Sequence, residues 1–222
     1  MTAHCIYREE NQDAHLEIWQ EGERRSLWFD DVILQSEIHV HDPAVLPNPV
    51  NRTMLAHLMF DLPLRRVLLA GCGGGAIARW LHARAPEVHG QAVELSETVA
   101  RLAREYFDFP PHQQSRWRLT IGDIREFLGR GRERYDFILV DLEENQTTPA
   151  WVTDQEFLGR CRDRLPPTGT LTLNLITGND PQTVARPESE GEQLGLVTEL
   201  GDEHDSEGGQ EDLPHDIISF HL

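Results

Sequence analysis

The sequence predicts an α/β protein: a mostly parallel, seven-stranded sheet ending in an antiparallel strand pair, with a small antiparallel β region ahead of it. Three features predict this. From residue 66 to about 176, short apolar runs alternate with segments of helical period, and the first such run ends in glycines. Before residue 66 the residues alternate in character and are broken by Glu21-Gly22-Glu23, as in a hairpin or meander. Pro43, Pro47 and Pro49 interrupt the chain between the two patterns, so residues 1–65 read as a lead-in region and 66–222 as the main domain.

Taken in order, His15-Leu16-Glu17-Ile18-Trp19 and Ser26-Leu27-Trp28-Phe29 are strands, and a helix is expected through Met54, Leu55, Leu58 and Met59. Val67-Leu68-Leu69-Ala70 opens the main sheet and is followed by a helix through Ile77, Trp80 and Leu81. Gln91-Ala92-Val93-Glu94 is the next strand. Ser96 then caps a helix whose Val99, Leu102, Ala103 and Tyr106 share one face of a 3.6-residue period. Leu119-Thr120-Ile121, Phe137-Ile138-Leu139-Val140 and Leu171-Thr172-Leu173-Asn174-Leu175 are three further strands. Helices are expected between them near 124–128 and 153–165, the second opened by Thr153 and Glu156 at capping-box spacing. Apolar strands alternating with helices imply a parallel sheet covered on both faces. Leu196-Val197-Thr198 and Ile217-Ile218-Ser219-Phe220 supply the terminal strand pair, with an exposed acidic loop at about 199–216 between them.

Composition narrows the function. Apolar residues make up 39% and charged residues 26%, the balance of a globular chain with a sizeable core. Acids outnumber bases 38 to 20, for a formal net charge of -18, which argues against nucleic acid and anionic membrane as partners because both need a basic face. Every basic residue is Arg; without Lys the chain has no Schiff-base, pyridoxal-phosphate or phosphate-loop lysine. Cys5, Cys72 and Cys161 show no CxxC spacing, and neither a secretory signal nor a membrane-spanning run is evident, so a reduced cytoplasm is the expected setting.

The chemistry is expected at the strand ends. Gly71-Cys72-Gly73-Gly74-Gly75-Ala76 has four glycines in six positions where strand meets helix, more than a tight turn needs. Read as G-x-G-x-x-A it matches the Rossmann dinucleotide fingerprint, and Glu94, at the end of the next strand, is placed to accept both hydroxyls of an adenosine ribose. Asp123, after Gly122, serves either as a helix cap with Glu126 or as an acceptor for an adenine amino group. Asp141 ends the Phe137 strand and is followed by Leu142-Glu143-Glu144-Asn145, an anionic mouth suited to a cationic substrate or an electrophilic sulfonium. His39, His41 and Asp42 are too few for a metal centre, so no metal is expected.

These residues resemble the spermidine synthase-like proteins, the aminopropyltransferase branch of the class I S-adenosylmethionine-dependent methyltransferase fold. The resemblance runs from about residue 27 to 175. It rests on Leu27-Trp28-Phe29-Asp30-Asp31, the stretch 67–76, Val93-Glu94-Leu95, Ile121-Gly122-Asp123 and Val140-Asp141, in family order and spacing. It implies a transferase that binds S-adenosylmethionine or its decarboxylated form and moves a methyl or aminopropyl group to an amine or other small nucleophile. It implies that Gly71, Gly73 and Glu94 hold the nucleoside and that Asp123 and Ile124 contact adenine. Asp141 would then deprotonate the attacking amine, Glu144 would stand where the family has a second acid, and a homodimer would form through the N-terminal strands. Two places depart from the family pattern. Gly74 replaces an Asp inside the glycine loop, which favours ordinary S-adenosylmethionine, and Val50-Asn51-Arg52 replaces a Tyr-His/Gln-Glu run that helps hold the amine. The glycine loop and Glu94 also allow a nicotinamide-dependent oxidoreductase, and the departures also allow a catalytically degenerate binding module.

Overall fold

The computed structural model describes residues 3–10, 15–29, 33–56, 58, 64–109, 116–176, 196–198 and 215–221. Four strands, β1 (His4–Glu10), β2 (His15–Glu21), β3 (Arg24–Phe29) and β4 (Ile33–His39), form an antiparallel sheet in sequential order. β2 and β3 are the expected pair. Periodicity misses β1 because it is an edge strand with no fully buried residue. It misses β4 because Ser36, Glu37 and Ile38 are all buried and a bulge breaks the alternation: Leu27 pairs with Ser36 but Trp28 with Leu34, leaving Gln35 as the extra residue.

The helix expected through Met54, Leu55, Leu58 and Met59 is displaced toward the N-terminus. α1 spans Pro49–Met54, with Asn48 capping through the Val50 N–H and Pro49 in the first turn, and Leu55 already leaves helical geometry. Proline preset for a first turn and an Asn cap before it outweigh the apolar period that follows. Met59 lies outside the described residues.

The main sheet has seven strands, β5 (Arg66–Ala70), β6 (His89–Glu94), β7 (Trp117–Ile121), β8 (Phe137–Asp141), β9 (Thr170–Ile176), β10 (Leu196–Thr198) and β11 (His215–His221), in the order β10-β11-β9-β8-β5-β6-β7. β5 to β9 pair in parallel, while β11 runs antiparallel to both β9 and β10. The expected loop at 199–216 lies outside the described residues except for His215 and Asp216, which begin β11.

Burial on both faces shows in the strands themselves. Val67, Leu69, Phe137 and Leu139 face one core, with Ile77 and Leu81 of α2 (Ala76–Arg84) and Leu102 and Ala103 of α3 (Glu97–Tyr106). Leu68, Ala70, Ile138 and Val140 face the other, with Ile124 and Leu128 of α4 (Ile124–Arg130) and Phe157 and Cys161 of α5 (Gln155–Asp163). The first core also takes in Leu16, Ile18, Leu27 and Ile38, so the small sheet packs onto the main one. Ser96 caps α3 as expected, accepting from the Val99 N–H at 3.2 Å. The Thr153 cap is not formed: Thr153 ends a 3-10 turn, Ala150–Thr153, its hydroxyl bonded to the Ala150 carbonyl, and α5 starts from Asp154. Among the described residues no helix is long and apolar enough to cross a membrane.

Candidate active site

The strand order reverses at β5, which has β6 and β7 on one side and β8 and β9 on the other. In open α/β sheets that reversal opens a crevice beyond the carboxyl ends of the strands. The loop 71–75 leaves β5 there, beside the end of β8. Gly71 has φ 82° and donates to the Val93 carbonyl at 2.9 Å, and a Cβ on it would lie 2.1 Å from the Asp141 carbonyl oxygen. Only glycine permits this backbone approach. Gly73 faces the Gln35 carbonyl of β4, so the small sheet closes the other side of the loop.

Glu94 ties the loop to the next helix. Its Oε2 accepts from the Cys72 N–H at 3.1 Å and its Oε1 from the Ser96 N–H at 3.0 Å. The acid is thus held beside the Gly71 turn, with carboxylate lone pairs left for a further donor. Leu95, 75% exposed, and Ile121, 45% exposed, flank this point at the ends of β6 and β7. Two uncovered apolar side chains next to a fixed carboxylate suit a ligand with a flat apolar part and vicinal hydroxyls, the make-up of a purine nucleoside. Burial and the neighbouring Glu94 charge push the Cys72 thiol well up, so it is not a reactive thiolate at neutral pH.

Asp123 caps α4 through the Arg125 N–H at 2.7 Å, and the Arg125 guanidinium grips both carboxylate oxygens, the shortest contact being 2.5 Å. This pairing holds the Asp123 carboxyl below its ordinary value. Arg125 in turn lies 4.5 Å from the Trp151 ring centroid. The Ile124 side chain is buried, 5% exposed, in the second core.

Asp141 is exposed at the end of β8 and accepts on Oδ1 from the Asn174 amide at 2.8 Å. Glu143 points back under the small sheet, its Oε2 accepting from the Gln35 amide at 2.6 Å. Desolvation raises the Glu143 carboxyl above its ordinary value, and the nearby Asp141 charge adds to this. Glu144 stands exposed at a tight turn in which its backbone pairs with Thr147 while Asn145 and Gln146 take positive φ of 52° and 63°. Thr148 then pins the loop to β9: its hydroxyl donates to the Asn174 carbonyl at 3.2 Å and accepts from the Ile176 N–H at 2.7 Å.

The crevice therefore brings together the loop with Gly71 and Gly73, then Glu94, Asp141 and Glu143, while Asp123 and Ile124 open the helix one strand further out. Gln35 and Asn174 are additional members. Asn174 had a signal, an amide in a Thr-Leu-Thr-Leu strand level with Asp141; Gln35 had none, because its bulge depends on pairing with β3. His39 and His41 do not converge on a metal. His39 uses one ring nitrogen on the Asp42 N–H and the other on Glu23, and among the described residues no group of three metal-binding side chains exists.

No family model matches the chain. It is 33% identical over 132 residues to the polyamine aminopropyltransferase of Vibrio vulnificus, a match covering 58% of this chain and 44% of that one. Against the polyamine aminopropyltransferase of Neisseria meningitidis it is 28% identical, covering 73% of this chain and 62% of the other, so the chain spans about half the length of these relatives. Among solved structures, a probable spermidine synthase from Corynebacterium glutamicum superposes with TM-score 0.68 at 23% identity, over 76% of this chain and 63% of that one, a likeness in fold.

Proposed function

We propose that the chain, similar in sequence to polyamine aminopropyltransferases and in fold to a probable spermidine synthase, is a transferase using S-adenosylmethionine and acting on a small amine. The observation that carries the reading is Glu94, held beside the Gly71 turn by the Cys72 and Ser96 amides, with the exposed Asp141 in backbone contact with the same turn. Gly71, Gly73 and Glu94 would hold the nucleoside, with Leu95 and Ile121 against its base. Asp123 and the Ile124 backbone would meet the base edge, with Arg125 yielding part of its hold on the carboxylate. When bound, S-adenosylmethionine supplies an electrophilic carbon whose leaving group is a neutral thioether.

Asp141 supplies what the acceptor lacks. An alkyl amine titrates near pH 10, so at neutral pH it arrives largely protonated and has no lone pair to attack with. As substrate closes the crevice and excludes water, the Asp141 carboxylate takes the ammonium proton and holds the freed amine facing the reactive carbon. Glu144, at the exposed turn, meets positive charge at the far end of the acceptor. The methionine-bearing form of the donor is favoured over the decarboxylated one, and methyl over aminopropyl transfer, because the space beside Gly74 is filled by Ser36 and Phe107 rather than by an acid that would repel a carboxylate. A cytoplasmic setting and a homodimer through the small sheet accompany this reading.

Mass spectrometry of the adenosyl compound that co-purifies tests it. S-adenosylhomocysteine is expected, and calorimetry should show it binding. Asp141→Asn should leave that affinity within about threefold while lowering turnover across a panel of primary amines by about a hundredfold or more. Binding of NADH in place of any adenosyl thioether would overturn the reading, and methylthioadenosine would move it to aminopropyl transfer.

A further inference from the structure

Asn174 is 3% exposed, yet its side chain reaches an exposed carboxylate at the mouth of the crevice. It sits on β9 directly opposite Asp141 in the parallel register. The polar residues of its strand alternate with leucines, and Thr172, two positions back on the same face, spends its hydroxyl on Ser219 of β11. Asn174 instead turns to the end of β8. A buried amide costs stability unless it is hydrogen-bonded, a cost that an apolar side chain at 174 would not carry. Its backbone is fixed as well, since the Thr148 hydroxyl donates to the Asn174 carbonyl. A rigid amide on a central strand, bonded to a carboxylate at the active end of the sheet, is what a device for aiming that carboxylate requires.

We propose that Asn174 is a positioning residue for Asp141, its buried amide holding Oδ1 and so fixing the direction in which the carboxylate meets the acceptor amine. This rests on the reading of Asp141 as the proton acceptor. An N–H donated to a carboxylate favours its ionised form, the form that can take a proton from the amine.

The test uses the full chain labelled with carboxyl-13C aspartate, the Asp141 resonance being assigned by its absence in Asp141→Asn. In Asn174→Leu, with S-adenosylhomocysteine affinity unchanged, the Asp141 titration should move to higher pH by about one unit. Methyl transfer to the amine panel should fall about tenfold or more in kcat with little change in the KM for S-adenosylmethionine. Asn174→Asp, which places a second carboxylate against the first, should raise the Asp141 titration further. Should Asn174→Leu fail to fold, Asn174→Ser, which keeps a polar group but cannot reach Oδ1, is read the same way. An Asp141 titration identical in wild type and a folded variant overturns the proposal and leaves the transferase reading standing. Absence of S-adenosylhomocysteine binding in the wild type overturns the transferase reading instead.

Discussion

Gly74 shows how tightly the space beside one loop residue is filled. A Cβ built there would lie 2.7 Å from Ser36 Oγ, 2.8 Å from Ser36 Cβ and 3.0 Å from a ring carbon of Phe107. The Ser hydroxyl could rotate away, but its Cβ and the Phe107 ring, fully buried in the first core, could not. Gly74→Asp is therefore expected to lower stability by about 3 kcal/mol or more, from overpacking together with a carboxylate taken out of water. Adding Ser36→Gly should recover part of that loss, and urea denaturation of the two single variants and the double one measures the coupling. Additive effects would mean that Ser36 does not occupy the space. At this scale the glycine loop, Glu94 and Asp141 were legible from residue type and spacing, because a strand end fixes where an acid stands. Arg125 was not, since nothing in Gly122-Asp123-Ile124-Arg125 tells which way a long side chain folds back.

Elements were legible where periodicity and caps agreed, as in β5, β6, α3 and β8, and illegible where pairing set the geometry. The bulge in β4 is the clearest instance. It aims Gln35 at the crevice, and it exists only because Trp28 pairs with Leu34 while Leu27 pairs with Ser36. The join between α4 and α5 is another. Arg164, 4% exposed, ends α5 and donates to the carbonyls of Glu133, Leu128 (3.0 Å) and Phe127 (3.4 Å), with the Phe127 and Tyr135 rings beside it. It thereby adds donors to carbonyls at the end of α4 and in the loop leading to β8, the Leu128 bond being fully buried and the Phe127 carbonyl also accepting from the Gly131 N–H at 3.3 Å. Arg164→Met keeps most of the volume and removes every donor, so a loss of about 2–4 kcal/mol is expected. Arg164→Lys should recover little, since a single ammonium cannot span three carbonyls. Full stability in Arg164→Met, by urea midpoint at unchanged slope, would show that the carbonyls find other partners.

At the scale of the molecule, composition and patterning made the two regions legible but not their union. Leu16, Ile18, Leu27 and Ile38 of the small sheet share one core with Ala76 and Leu81 of α2 and with Phe107 and Phe109. Polar ties run along the same seam. Arg79, 6% exposed, reaches from α2 to the carbonyls of His39 and Val40 at 2.8 and 2.9 Å, and Arg101 of α3 reaches Tyr7 and Glu9 of β1, each at 2.8 Å. No alternation rule announces that the inner face of one sheet is the outer wall of another. A shared core means that neither part can open without exposing apolar surface on both, so the described residues should unfold as one cooperative unit. Native-state hydrogen exchange measures this: amides of β2 and β3 should be protected to within about 1 kcal/mol of those of β5 and β8, and S-adenosylhomocysteine should raise protection in both sheets together. A small sheet that exchanges through a much cheaper opening would separate the two regions. The Gln35 contacts that wall the glycine loop and hold Glu143 would then be only intermittently made, and the crevice would need its ligand to complete it.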